Sequence, residues 1–171
     1  MPDSQHNRTL ESGALQIVRR LRAQGYEAYW AGGCVRDQLL GLAPVDIDIA
    51  TSARCDEVEA LFTRAIPVGA HFGVMCVVLD AHTYDVATFR TEAGYSDGRR
   101  PDEVTWTDAR GDVLRRDFTI NGLLFDPETQ EVVDFVDGVR DLEAGVIRSI
   151  GEPAARFSED HLRLLRAIRF A

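Results

Sequence analysis

The 171-residue chain lacks several features that mark specialised classes of protein. Its only three cysteines, Cys34, Cys55 and Cys76, lie 21 residues apart, and without a Cys-x-x-Cys pair they predict reduced thiols rather than a zinc site or a disulfide framework. No apolar run has the roughly 20 residues of a transmembrane helix, and the polar residues 1–9 do not resemble a signal peptide. We therefore expect a cytoplasmic protein with no membrane partner.

Positive charge is also scarce, because 19 Lys and Arg residues face 28 Asp and Glu residues and the net charge is -9. This balance argues against a broad basic surface for nucleic acid. The arginines are clustered, however, at positions Arg99, Arg100, Arg115, Arg116, Arg156, Arg163, Arg166 and Arg169. The apolar content of 45% is enough for the core of one domain, and the oligomeric state is left open.

Apolar periodicity and turn residues predict the secondary structure. Helices are expected over residues 9–24, 35–40 and 54–62, with Ser52 capping the third. Strands are expected over residues 27–31, 45–50, 122–125 and 132–135, and a hairpin over residues 72–79 and 83–89 with its turn at 80–82.

Residues 31–53 hold the two features with the clearest chemical meaning. Gly32 and Gly33 allow a tight turn after the first strand, and Arg36 follows in the first turn of a helix, an arrangement suited to phosphate oxygens. Taken alone, such a glycine pair is more often a simple turn.

The second feature is the alternation of acidic and apolar residues over 45–50. On a strand, Asp46 and Asp48 would share a face about 6.6 Å apart, while Ile47 and Ile49 would enter the core. Two such carboxylates suit Mg²⁺, which binds one or two carboxylates together with substrate phosphates. A solvated strand face is the alternative interpretation.

Together these features form the pattern GG-x-V-R-D-x-L-L-G-x4-D-x-D. It resembles the nucleotidyltransferase motif of the class II tRNA nucleotidyltransferase and bacterial poly(A) polymerase family, within the polymerase-beta-like superfamily. The resemblance implies an α/β head of mixed α+β type, with a small mixed sheet backed by helices. It also implies that Asp46 and Asp48 are catalytic and bind Mg²⁺, and that Gly32, Gly33, Arg36 and Asp37 contact the nucleotide.

Asp85 lies before Thr88-Phe89-Arg90, where the resemblance places a third catalytic acid. From the residues alone, a hydrogen-bonded edge aspartate is an equal alternative. The polar residues 92–102, EAGYSDGRRPD, predict a mobile loop. Such a loop is usually a simple connection. The resemblance implies a flexible loop at this place, shortened in family members that add only cytidine, and its presence then favours adenosine addition.

Residues 115–121 resemble the next family motif, R-R-D-F-T-x-N. Arg116 could reach a triphosphate, and Asp117 and Asn121 offer groups suited to ribose hydroxyls. Outside this context, adjacent Arg and Asp residues are more often an ordinary surface pair.

Residues 156–170 predict a helix capped by Ser158, and they resemble the family motif R-F-x-E-D-x-x-R-x-x-R-x-x-R-F. The resemblance assigns Asp160 and Arg163 to recognition of the incoming base, and it adds Arg166 and Arg169 to the nucleotide-binding set. A charged stripe of this kind is otherwise a solvated helix face. We expect residues 1–150 to form the head and residues 151–171 a truncated first part of a helical neck, so the chain is either a fragment or is completed by another chain.

The resemblance of these motifs to the family implies an enzyme that transfers CMP or AMP from CTP or ATP to the 3′ end of tRNA, with Mg²⁺ as cofactor, in CCA addition or repair. The alternatives are a bacterial poly(A) polymerase, a tRNA nucleotidyltransferase that adds only adenosine, and a non-catalytic nucleotide-binding module. The stretch GAHFGVMCVV over residues 69–78 resembles the tRNA-specific branch of the family, because the poly(A) polymerases tend to carry basic residues near this glycine. The intact D-x-D pattern argues against the non-catalytic module.

Overall fold

A computed structural model describes residues 3–96, 98 and 101–171, with side chains described from residue 8 onward. Asp97, Arg99 and Arg100 of the predicted loop lie outside the described residues. The helices are α1 Asp3–Arg22, α2 Gly33–Leu39, α3 Cys55–Leu61, α4 Ala109–Leu114, α5 Gly138–Glu143, α6 Pro153–Glu159 and α7 Leu162–Phe170. The strands are β1 Ala28–Ala31, β2 Asp48–Thr51, β3 Ala65–Gly69, β4 Val74–Leu79, β5 His82–Thr88, β6 Arg90–Ala93, β7 Glu103–Trp106, β8 Leu123–Asp126 and β9 Glu131–Asp134.

Seven strands form one mixed sheet in the order β3-β4-β5-β2-β1-β8-β9. β2 and β5 are parallel, whereas the other neighbouring strands are antiparallel. β6 and β7 form a separate two-stranded arm, so the predicted loop begins as a strand. The predicted mixed sheet backed by helices is confirmed.

One face of the sheet is covered by α1 and α3. Leu10, Ala14, Ile17, Val18 and Leu21 recur at helical spacing along α1, and each is at most 3% exposed. They pack against the strand residues that alternate towards this face, including Ile49 of β2. The amphipathic first helix is therefore confirmed, although it begins earlier than predicted. No helix among the described residues is long and apolar enough to cross a membrane.

The opposite face holds a smaller apolar cluster beneath α4, formed by Ala31, Ala50, Phe89, Ala109, Val113 and Leu124. α4 covers only part of this face, and its N-terminus is capped by Asp108, which accepts the Gly111 N–H at 2.8 Å. Asp48 and Asp85 extend from the uncovered part, because each lies two residues before a member of the same face, Ala50 and Ala87.

The second strand is shorter than predicted, since it begins at Asp48 and not at residue 45. Ala31 pairs with Asp48, and Gly32, with φ 75°, then turns the chain away. Residues before Asp48 consequently have no strand to pair with on this side. Ile47 and Ile49 are buried as predicted, but Val45 is 88% exposed and Asp46 lies in the loop before the strand.

Two local predictions around β2 and β5 have different outcomes. The hairpin is confirmed, with Asp80 and Ala81 in the left-handed conformation at its turn and His82 already in β5. The capping role of Ser52 is wrong, because Arg54 is the first residue outside α3 and Glu57 accepts its N–H at 2.7 Å. The Ser52 hydroxyl instead accepts the Glu27 N–H at 2.9 Å.

The predicted single C-terminal helix is also wrong, because the chain forms α6 and α7 with a break at Asp160. Asp160 has an extended backbone, and its carboxylate accepts the Leu162 N–H at 2.9 Å, which stabilises the start of α7. Ser158 lies inside α6, where its hydroxyl donates to Ala154 O at 2.9 Å. The apolar residues Leu164, Leu165 and Ile168 are exposed.

Candidate active site

A cleft of about 560 Å³ lies over the uncovered face of the sheet. It is bounded by the Gly32 turn, the start of β2, the end of α4 and helix α7. Its lining contains six arginines and five acids, which are Arg36, Arg115, Arg116, Arg163, Arg166, Arg169, Asp46, Asp48, Glu92, Asp117 and Asp160. The negative net charge of the chain is therefore not reproduced in the cleft.

The glycine pair forms a tight turn directly beside the cleft. Gly32 has φ 75° and ψ -128°, a conformation that only glycine adopts without strain, and its N–H donates to Leu123 O at 3.1 Å. A Cβ atom at Gly32 would lie 3.1 Å from Nη1 of Arg116. The absent side chain thus leaves room for the Arg116 guanidinium next to the start of α2.

The structure brings Asp46, Asp48 and Asp85 together through the parallel pairing of β2 and β5. Ile49 pairs with Val86, so Asp48 and Asp85 are neighbours one register step earlier. Asp48 lines both the main cleft and an adjoining pocket of about 240 Å³, which also contains Asp85 and Arg116. Asp46 lines the main cleft, whereas Asp85 does not.

Burial in the cleft, together with the neighbouring carboxylates, raises the pKa of Asp48 to about 6. Loss of hydration is the largest cause, followed by the charges of Asp46 and Asp85, while Arg116 acts in the opposite direction. The ionised carboxylate is therefore less stable in this cleft than in water, and a cation bound beside it would be favourable.

The raised pKa predicts that Asp48→Asn stabilises the metal-free protein in a pH-dependent manner. An acid whose folded pKa is raised favours the fold when protonated, so its destabilising effect develops as the pH rises from 4 to above 6. At pH 8 the free energy of unfolding should rise by about 1 kcal/mol, a value discounted for solvent screening. Denaturant titrations at pH 8 and pH 4, both with a chelator, test this expectation, and an equal change at both values would contradict it.

A chain of hydrogen bonds joins four other predicted site residues across the cleft. Arg36 Nη1 donates to Asn121 Oδ1 at 2.6 Å, and Asn121 Nδ2 donates to Asp117 Oδ1 at 3.2 Å. Arg166 Nε donates to Asp117 Oδ2 at 2.6 Å. Asp37 accepts two bonds from Arg36 but lies outside the main cleft, beside a second pocket behind α2.

Asp160 and Arg163, the two residues predicted to recognise the base, differ in their position and contacts. Asp160 lines the cleft at the break between α6 and α7, so it does not share a helix with Arg163 as predicted. Arg163 is only 5% exposed, and its Nη1 donates to Glu159 at 2.9 Å and to Arg156 O at 2.8 Å. Arg169 lines the same cleft.

Sequence reasoning did not assign a role in the site to five further residues: Glu92, Arg115, Leu162 and Phe170, which line the cleft, and Asp112, which supports it. The Phe170 ring contacts two cations, since the Arg36 and Arg166 guanidiniums lie 4.9 and 5.5 Å from its centroid. Asp112 could have been found from its spacing, because an acid three and four residues before Arg115 and Arg116 on a helix lies next to both.

The acids suit a metal ion only when another molecule supplies ligands. Among the described residues, no group of three or more His, Cys, Asp or Glu side chains is placed to hold a metal by itself. Mg²⁺ does not require such a cage, because one or two carboxylates and the phosphate oxygens of a substrate suffice. The loss of hydration and the repulsion from Asp46 and Asp85, which together raise the Asp48 pKa, are consistent with this type of site.

Comparison with known proteins gives a consistent result. A CCA-adding enzyme from Enterococcus faecalis (strain ATCC 700802 / V583) is 48% identical over 159 residues, covering 92% of this chain and 39% of that enzyme. The crystal structure of the Bacillus stearothermophilus CCA-adding enzyme in complex with CTP superposes with a TM-score of 0.84 at 39% identity, covering 93% of this chain and 38% of that chain. A tRNA nucleotidyltransferase complexed with a primer tRNA and an incoming ATP analog gives a TM-score of 0.73 at 30% identity, covering 91% and 44%.

The chain thus spans about two fifths of the length of these relatives. A family model described as the Poly A polymerase head domain matches residues 28–148, which is well over half of the chain. Together with the mixed sheet and the cleft built on it, this match shows that the chain belongs to the Poly A polymerase head domain family.

Proposed function

We propose that this chain is the nucleotidyltransferase head of an enzyme that transfers CMP or AMP from CTP or ATP to the 3′-hydroxyl of tRNA and releases pyrophosphate. The observation that carries the proposal is the placement of Asp46 and Asp48 beside Arg116 and the Gly32 turn in one cleft. The relatives named as CCA-adding enzymes favour CCA addition over poly(A) synthesis.

In this proposal Asp46 and Asp48 hold Mg²⁺, with Asp85 as a third acid next to them. Bound Mg²⁺ would lower the pKa of the attacking hydroxyl and balance the charge of the leaving pyrophosphate. Arg116, with the open backbone at Gly32 and Gly33, positions the triphosphate. Arg36 would join it by exchanging its bonds to Asp37 and Asn121 for phosphate oxygens.

The remaining cleft residues orient the nucleoside. Asp117 and Asn121 face the ribose, with Arg36 and Arg166 holding them in place through the hydrogen bonds described above. Asp160 and Arg163 recognise the base, and Arg169 adds positive charge at the same end of the cleft. Residues 1–150 would form the head and residues 151–171 the start of a helical neck. A tRNA substrate would place the activity in the cytoplasm.

The proposal can be tested in a fused protein, defined as this chain followed by the part of the Enterococcus faecalis relative that lies beyond the matched segment. The fused protein is incubated with Mg²⁺, labelled CTP or ATP, and tRNA that lacks its terminal CCA. We expect cytidine followed by a single adenosine at the 3′ end. A long adenosine tail would indicate a poly(A) polymerase, and no incorporation would contradict the proposal.

We further predict that Asp160→Ala combined with Arg163→Ala weakens discrimination between bases. Cytosine and adenine present an amine donor beside a ring-nitrogen acceptor, which match a carboxylate and a guanidinium, whereas uracil and guanine present the reverse. Because Arg163 is bonded to Glu159 in the free protein, the base edge would replace Glu159 as its partner. The preference for CTP over UTP, measured as a ratio of kcat/KM values, should fall roughly tenfold or more.

Arg19→Ala provides the matched control for this double variant, because Arg19 is an exposed arginine that pairs with Glu128 away from the cleft. Its ratio of kcat/KM values should remain that of the unaltered fused protein. Unchanged selectivity in the double variant would show that Asp160 and Arg163 have a structural role and do not recognise the base.

A further inference from the structure

Asp112 of α4 is a fully enclosed carboxylate with a charged partner on each oxygen. Its side chain is 2% exposed. Oδ1 accepts from Arg115 Nε at 3.0 Å and Nη2 at 2.7 Å, and Oδ2 accepts from Arg116 Nε at 3.3 Å and Nη2 at 2.9 Å. Burial alone would raise the pKa of Asp112, but the two guanidiniums outweigh it and hold the pKa below its ordinary value.

The two arginines differ in what contacts the Nη1 group that Asp112 does not bind. The remaining Nη1 of Arg115 donates to Glu92 at 3.0 Å, so this guanidinium is bound along both of its edges. Glu92 also accepts from Arg90 and from the Tyr95 hydroxyl, which ties Arg115 to the β6 end of the two-stranded arm. The Arg115 guanidinium therefore makes all of these contacts within the protein and has a structural role.

Arg116 is held along one edge only. Asp112 accepts from Nε and Nη2, while Nη1 faces the Gly32 turn, where it lies 3.1 Å from the position that a Cβ atom would occupy. Nη1 is thereby directed towards the part of the cleft that contains Asp48. A guanidinium fixed on one side loses little conformational freedom when an anion binds on the other.

We propose that Asp112 is a positioning residue for triphosphate binding, which fixes the Nε and Nη2 edge of Arg116 so that Nη1 faces the phosphate. This inference rests on the proposed function. It divides the Arg-Arg pair into a phosphate-binding residue, Arg116, and a structural residue, Arg115, that connects the cleft to the arm.

The test compares Asp112→Asn with the matched control Asp126→Asn in this chain. Asp126 likewise accepts from an arginine, Arg22 at 2.9 Å, but at the opposite face of the protein from the cleft residues. Tripolyphosphate is the probe, because it carries phosphate charge without a base or a ribose. Under conditions where both variants are folded, the Kd of Asp112→Asn should rise roughly tenfold, whereas that of Asp126→Asn should stay within about twofold.

Two further readouts separate positioning from general destabilisation. In an Arg116→Ala background, Asp112→Asn should have no additional effect on the tripolyphosphate Kd, and an undiminished effect there would overturn the proposal. In the unaltered chain, NMR should show slow hydrogen exchange at Nε–H of Arg115 and Arg116 and fast exchange at Arg169. Fast exchange at Arg116 would overturn the proposal even if Asp112→Asn does not fold.

Failure of the proposed function has a different signature. Suppose that the unaltered chain does not bind tripolyphosphate although Nε–H of Arg116 is protected from hydrogen exchange. The assignment of the cleft to a triphosphate is then wrong, and the positioning role of Asp112 is wrong as well. If the unaltered chain binds and Asp112→Asn binds equally well, the proposed function stands and Asp112 has no positioning role.

Discussion

Asp48→Asn in the fused protein should reduce nucleotide transfer to tRNA by about a thousandfold, because an amide keeps the shape of the carboxylate but loses the charge that Mg²⁺ requires. Asp46→Asn should have a comparable effect. The measurement is the initial rate of CMP incorporation at saturating CTP and Mg²⁺. The fold should remain intact, since burial and the neighbouring acids already destabilise the ionised form of Asp48.

Asp56→Asn serves as the control, because Asp56 is an exposed acid in the first turn of α3 on the other side of the sheet. Its rate should match that of the unaltered fused protein. Near-normal turnover of Asp48→Asn in Mg²⁺ would show that the metal assignment is wrong, even if the activity itself is present.

Gly138→Ala should have the largest effect on stability. A Cβ atom at Gly138 would lie 2.2 Å from the backbone oxygen of Thr119 and 2.9 Å from Leu123 Cδ2, so α5 would have to move away from residues 119–121. Such overpacking costs about 3 kcal/mol, or about 10 °C in the melting temperature of a chain of this size. Because α5 packs against the segment that contains Asn121, its movement should also weaken the binding of tripolyphosphate. Thermal unfolding and binding titrations measure the two effects.

Gly145→Ala is the appropriate comparison, because it separates the clash from the conformational preference of glycine. Gly145 has φ 64°, and no atom lies within 4 Å of the position that its Cβ atom would take, so only the left-handed backbone opposes the substitution. Its cost should be about 1 kcal/mol. Equal melting temperatures for the two variants would contradict the predicted contact between α5 and Thr119.

Local periodicity determined much of the framework without tertiary information. The helical spacing of Leu10, Ala14, Ile17, Val18 and Leu21 predicted the buried face of α1, and the alternation around β2 predicted that Ile47 and Ile49 are in the core. These predictions succeed because burial of an amphipathic face is decided by the spacing of apolar residues along one element. Motif spacing likewise placed Gly32, Arg36, Arg116 and Asn121 in one group, and all four line the cleft.

Tertiary structure alone decided where elements end and what each charged side chain contacts. β2 begins at Asp48 because its pairing partner β1 ends at Ala31. Asp85 lies beside Asp48 because β2 and β5 are parallel neighbours, although 37 positions separate the two acids in the chain. The single helix predicted to follow Ser158 is interrupted at Asp160, and Arg163 is bonded to Glu159 within the protein. Asp112 is buried only in the folded protein, where its charge is stabilised by the two arginines. Strand pairing and burial depend on residues distant in the chain, and local sequence patterns do not contain that information.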